Sequence, residues 1–99
     1  MKQKLEVHYI TKDGMREQFY ERVLAEGIAE ASRNEAGSEK YDYYFSAENK
    51  NELLLLEIWK DEEAVKLHGQ TEHFARLGEL KKEYVLETQI IRFTDPSCS

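Results

Sequence analysis

The sequence predicts an α+β domain, a single antiparallel sheet carrying helices on one face. Three observations lead there. Strand-like and helical patterns follow one another in the order β-α-β-β-α-β across nearly all of the 99 residues. The composition, 40% hydrophobic and 34% charged, is that of a globular chain able to bury one modest core. The run Leu53-Leu54-Leu55-Leu56 marks a strand that is apolar on both faces, because successive side chains point to opposite sides.

Each element has its own signal. Leu5 to Ile10 alternates and holds β-branched and aromatic residues, as a first strand does, and Asp13-Gly14 breaks it, with Asp13 suited to cap the next element. From Met15 to Arg33 the apolar residues Met15, Phe19, Val23, Leu24, Ile28 and Ala31 recur at helical spacing, which predicts one long amphipathic helix. Gly27 inside it suggests close packing against a neighbour, and Asn34 or Gly37 suits a left-handed cap at its end. Lys40 to Ser46 and Glu52 to Trp59 read as two strands joined by the polar loop Ala47-Glu48-Asn49-Lys50-Asn51. Asp61-Glu62-Glu63 starts a helix that lasts to Gly69, and Thr71 caps another that turns Phe74, Leu77 and Leu80 inward. Tyr84 to Phe93 is the last strand. The order is that of the ferredoxin-like split βαβ.

Neither a repeat nor a linker interrupts this pattern, so residues 1–94 are expected to form one domain, with 95–99 a short polar tail opened by Pro96. A net charge of −6 argues against a nucleic-acid backbone or an anionic membrane as partner. The single cysteine, Cys98, has no partner for an internal disulfide, and the N-terminus lacks the apolar run of a signal peptide; both suit a reducing cytoplasm. Helices cover only one face of such a sheet. The leucine run would therefore leave an apolar patch on the other, and this predicts a homodimer packed sheet against sheet.

Phosphate loops, Cys-x-x-Cys pairs, nucleotide fingerprints and nucleophile elbows are all absent from the sequence. Chemistry must then come from histidines, aromatics and acids. The densest group is Glu57-Ile58-Trp59 followed by His68-Gly69-Gln70-Thr71-Glu72-His73. Glu57 at the end of an apolar strand needs a partner or a place at the sheet rim. Trp59 serves either as core filler, the commoner role, or as a platform for a ligand. His68 either closes a helix end or exchanges a proton near neutral pH. His73 sits in the first turn of the next helix, where capping and pocket roles are evenly balanced. A metal site built on His68 and His73 is disfavoured, because the five-residue step crosses Gly69 and lacks i, i+4 geometry. Tyr9, Tyr41, Tyr43 and Tyr44 read mainly as sheet packing, with one or two lining a cavity. Arg92 either pairs with Glu57, the commoner outcome, or meets a substrate anion.

Three stretches carry a family resemblance: Arg33-Asn34-Glu35-Ala36-Gly37 before Tyr41, Leu56-Glu57-Ile58-Trp59, and Ala64 through Leu67-His68-Gly69-Gln70-Thr71-Glu72-His73-Phe74. With the strand order, they make the chain from about Leu5 to Phe93 resemble the antibiotic biosynthesis monooxygenase (ABM) superfamily of dimeric α+β barrel proteins. That superfamily includes quinol monooxygenases and an autoinducer-2 phosphate isomerase/thiolase branch. The resemblance implies a homodimer whose sheets pair into a barrel, and a pocket lined by Glu57, Trp59 and His68. Heme-degrading relatives carry a tryptophan where this chain has His68, a histidine near Gly78 and an asparagine near Val7 or His8; this chain has none of these.

For function, the resemblance implies oxidation of a small electron-rich aromatic, quinol- or anthrone-like, with molecular oxygen as co-substrate and no heme, flavin or metal. His68 would be the base or proton relay, Trp59 a stacking wall and Glu57 the residue orienting His68 or a substrate hydroxyl. Tyr9, Tyr43, His73, Phe74 and Arg92 would complete the binding site. Two alternatives stand beside it: isomerisation or cleavage of a small phosphorylated ketone, with Arg92, Lys66 or Arg76 holding the phosphate, and a non-catalytic ligand-binding dimer.

Overall fold

The computed structural model describes residues 1–95; Pro96 and Cys98 lie outside the described residues, as does all of the predicted polar tail except Asp95. The elements are β1 (Lys2–Thr11), α1 (Arg16–Ala25), α2 (Ile28–Arg33), β2 (Ser38–Phe45), β3 (Glu52–Trp59), α3 (Glu62–His68), α4 (Glu72–Tyr84) and β4 (Val85–Asp95). The four strands form one sheet in the order β2-β3-β1-β4, with every neighbouring pair antiparallel. This is the ferredoxin-like α+β fold that the sequence predicts.

The alternation within β3 sorts the leucine run onto two faces. Leu53, Leu55, Glu57 and Trp59 are buried beneath the helices, whereas Leu54, Leu56 and Ile58 are only half-buried on the opposite face. Register then places Val7 and Tyr9 of β1 on the helix side and Ile91 and Phe93 of β4 on the open side. The core fills the space between sheet and helices. Phe19 and Val23 of α1, Ile28 of α2, and Leu77, Leu80 and Tyr84 of α4 pack on Val7, Tyr9, Tyr41, Leu53, Leu55 and Trp59. Tyr9 meets Phe19 edge to face at 5.6 Å, an arrangement that adds attraction to the buried area.

Five local expectations need correction. The predicted long helix is two helices, because Gly27 adopts a left-handed conformation (φ +73°) that ends one and starts the next. A Cβ at Gly27 would meet nothing, so conformation and not close packing explains that glycine. Asp13 does not cap α1: the N-cap is Met15, without a side-chain bond, while Asp13 accepts from Asn51 Nδ2. Neither Asn34 nor Gly37 is left-handed. Gly37 serves close approach instead, since a Cβ there would collide with that of Ala64 on α3. Tyr84, placed by its aromatic character at the start of the last strand, is the buried final residue of α4. Asp61 and Thr71 do cap α3 and α4, accepting from the backbone N–H of Ala64 and Phe74.

Candidate active site

The turn between α2 and β2 seats α3 through the contact of Gly37 with Ala64. One helical turn beyond Ala64 lies His68, and this geometry brings His68 onto Glu35. His68 is buried, and its Nδ1 lies 2.6 Å from Glu35 Oε2. A carboxylate only accepts, so Nδ1 carries the proton and donates; in the neutral ring Nε2 is left with a lone pair. The Thr71 hydroxyl donates to the His68 carbonyl at 2.8 Å while capping α4, which turns His73 back toward α3. His73 Nε2 then donates to the same Glu35 oxygen at 2.8 Å.

The His68 ring packs on Trp59, with centroids 4.6 Å apart and planes 34° apart, and meets Phe74 edge to face at 5.2 Å. Trp59 is itself fully buried, and its Nε1–H donates to Glu57 Oε1 at 2.8 Å. Strand geometry explains that bond, since residues two apart share a face. Burial pushes the Glu57 carboxyl above its ordinary range, opposed by the Trp59 N–H and the nearby His68.

Beside this group lies a partly enclosed cavity of about 300 Å³. Val7, Tyr9, Glu57 and Ile90 form its sheet side, and His68, Phe74, Leu77 and Lys81 its helix side. Its volume is at the lower end of the roughly 300–1,000 Å³ of small-molecule sites, and its walls are mostly apolar with a few polar groups converging, as ligand pockets are built. Burial pushes the Tyr9 hydroxyl well above its usual value and lowers that of the Lys81 ammonium, whose Nζ stands 5.5 Å from the Tyr9 ring.

Five of the residues selected from sequence thus come together. His68, Glu57, Tyr9 and Phe74 line the cavity, and Trp59 stands behind His68 without lining it. His73 does not line the cavity; it is joined to the site through Glu35 and a ring contact with His68. Tyr43 packs between Tyr20 and Tyr41, away from the cavity. Arg92 is exposed and donates to Gln3 Oε1 at 3.0 Å rather than to Glu57, whose partner is Trp59. The spacing argument against bringing His68 and His73 together also fails: their rings lie 5.8 Å apart because the Thr71 turn folds the chain back onto Glu35. Sequence reasoning missed Glu35 and Lys81 as site residues. The only signal for Glu35 was a turn motif, and Lys81 sits among the charges of α4.

Fold and site together define a small α+β protein with a partly enclosed, mostly apolar cavity between its sheet and its helices. The chain belongs to the antibiotic biosynthesis monooxygenase (ABM) family, which residues 5–79 match. It is 36% identical over 70 residues to the Bacillus subtilis (strain 168) protein named "Putative monooxygenase YcnE", covering 71% of this chain and 72% of that one. A conserved protein from Methanosarcina mazei Go1 superposes with a TM-score of 0.85 at 26% identity, covering 96% of this chain and 93% of the other. A structure titled "Putative antibiotic biosynthesis monooxygenase from Nitrosomonas europaea" superposes with a TM-score of 0.86 at 20% identity, covering 96% and 90%. Among the described residues, no helix is long and apolar enough to cross a membrane.

Proposed function

We propose that this chain is a cofactor-independent monooxygenase, working as a homodimer on a small electron-rich aromatic of the quinol or anthrone kind. The observation that carries this reading is His68: its Nδ1–H is held by Glu35, its face by Trp59, and the ring lines an apolar cavity. A histidine so oriented presents a basic Nε2 and little freedom to turn away.

In this mechanism His68 Nε2 takes a proton from a substrate hydroxyl or activated CH₂ group. The substrate anion passes one electron to O₂, and the radical and superoxide recombine to form the C–O bond. The peroxide takes up a proton and loses water, so that CH₂ and O₂ become C=O and H₂O. The substrate supplies the electrons, and the protein positions it, moves protons and excludes water. Lys81 stabilises the developing anion, and the 2.6 Å bond to Glu35 stabilises the imidazolium as it forms. The membership in the ABM family and the kinship with YcnE support this reading. Among the described residues Lys81 is the single cation lining the cavity, whereas Arg92, Lys66 and Arg76 do not line it, so a phosphorylated ketone is less well provided for.

The partner would be a second copy of this chain laid on the open sheet face, where Leu54, Leu56, Ile58, Ile91 and Phe93 are incompletely covered. A single monomeric species at micromolar concentration in analytical ultracentrifugation would overturn the dimer. For the reaction, oxygen uptake is measured with a panel of reduced quinols and anthrones. His68→Ala is expected to lower the rate by about 10²–10⁴-fold, the usual contribution of a positioned base. Uptake unchanged in that variant removes the role given to His68.

A further inference from the structure

We propose that Glu35, His68 and His73 form a binding site for a divalent transition-metal ion, with Zn²⁺ or Co²⁺ the best fit. His68 Nδ1 and His73 Nε2 converge on one oxygen, Glu35 Oε2, and the three donor atoms all lie within 4.8 Å of one another. Two imidazole nitrogens and one carboxylate oxygen are a ligand set that Zn²⁺ prefers, and one that hard cations such as Mg²⁺ do not. The side chains are 6%, 16% and 21% exposed for His68, Glu35 and His73. An ion there would be largely withdrawn from bulk water, yet reached from the His73 side, where a water supplies the fourth ligand.

The geometry is close to what coordination requires. Bonds of about 2.0–2.2 Å to a tetrahedral ion place its ligands roughly 3.3 Å apart. The present separations of 2.6 and 2.8 Å must therefore widen by about 0.5–0.7 Å, and the two ring nitrogens, which lie within 4.8 Å of each other, must settle at the same spacing, with the ion replacing two N–H protons. The surroundings already fix the rings: Trp59 and Phe74 hold the His68 plane, and the Thr71 cap holds the turn between the two histidines. Such support from outside the ligand shell is what ordered metal sites have.

Occupation would relocate protons without changing the charge of either ring. With Nδ1 on the metal, the single proton of a neutral His68 must sit on Nε2, the nitrogen to which the proposed function gives the role of base. The ring then has no lone pair with which to take a proton from a substrate. The ion is therefore not part of the oxygenation chemistry but excludes it, and the binding claim itself does not rest on that chemistry.

The test is a titration of chelator-treated protein with Co²⁺, whose four-coordinate complexes absorb in the visible, followed by competition with Zn²⁺. One ion per chain is expected in wild type. Affinity should fall roughly tenfold or more in His73→Ala and in Glu35→Gln, with circular dichroism unchanged. His8→Ala, on the opposite face of the sheet, should bind as wild type does. Failure to bind stoichiometrically at submillimolar metal, or superimposable curves for wild type and His73→Ala, overturns the site. Stoichiometric Zn²⁺ that leaves oxygen uptake untouched would keep the site and instead overturn the role of His68 as base.

Discussion

The substitution Gly37→Ala tests how the fold delivers His68 to Glu35. A Cβ at position 37 would overlap that of Ala64, which is 5% exposed and belongs to the helix that carries His68. Overpacking of a fitted contact costs about 1–3 kcal/mol. Because Gly37 is not left-handed, alanine is compatible with its backbone and recovers about 0.4–1 kcal/mol by restricting the unfolded chain. The net loss should be about 1–2 kcal/mol, or a fall in Tm of roughly 4–16 °C for a domain of this size. Ala64→Gly by itself should cost about 1 kcal/mol in helix propensity. Combining the two moves the methyl from one side of the contact to the other. The double variant should therefore be no less stable than Ala64→Gly, giving a coupling of about 1–2 kcal/mol in a double-mutant cycle. Thermal unfolding at one fixed protein concentration measures this, fixed because self-association would raise Tm by mass action. The His68 Nδ1–H signal in ¹⁵N NMR reports whether the bond to Glu35 survives. An unchanged Tm in Gly37→Ala, or additive effects in the double variant, would refute the close-approach argument.

Other consequences concern charge and placement. His8 donates from Nδ1 to Glu52 at 2.5 Å, and that bond, joined by Glu6, raises the His8 pKa above its ordinary value. Its stabilisation is complete below about pH 6.5 and disappears as the pH rises through the folded-state value. Glu52→Gln should accordingly cost about 1 kcal/mol at pH 6 and almost nothing at pH 9, as read by urea denaturation. Lys81→Met should weaken binding of an anionic aromatic roughly tenfold and leave a neutral analogue within about twofold, by calorimetric titration, because the half-buried ammonium faces the cavity. Arg92→Ala, which removes the part-buried bond to Gln3 while leaving that oxygen the Thr94 hydroxyl, should change ligand affinity by less than about twofold and stability by about 1 kcal/mol.

What could be read from the sequence and what could not divide along a physical line. Strand periodicity needs only neighbours two residues apart, so β3, with Glu57 and Trp59 on one face and Leu54 and Leu56 on the other, was legible, as were the caps at Asp61 and Thr71. The break at Gly27 was not. Apolar spacing continues across it, and only a backbone angle separates α1 from α2. Glu57 was recognised as needing a partner, but the choice between Arg92 and Trp59 depends on which atoms tertiary packing brings within 3 Å. Glu35 shows the limit most clearly. Its carboxylate meets His68 and His73 across 33 and 38 positions of chain, and nothing local to Asn34-Glu35-Ala36-Gly37 reveals what it will accept from. Only the missing methyl of Gly37 hints that another element must come close. The turn residues thus do two linked jobs, Gly37 admitting α3 and Glu35 orienting the histidine that α3 carries, and altering the first should disturb the second.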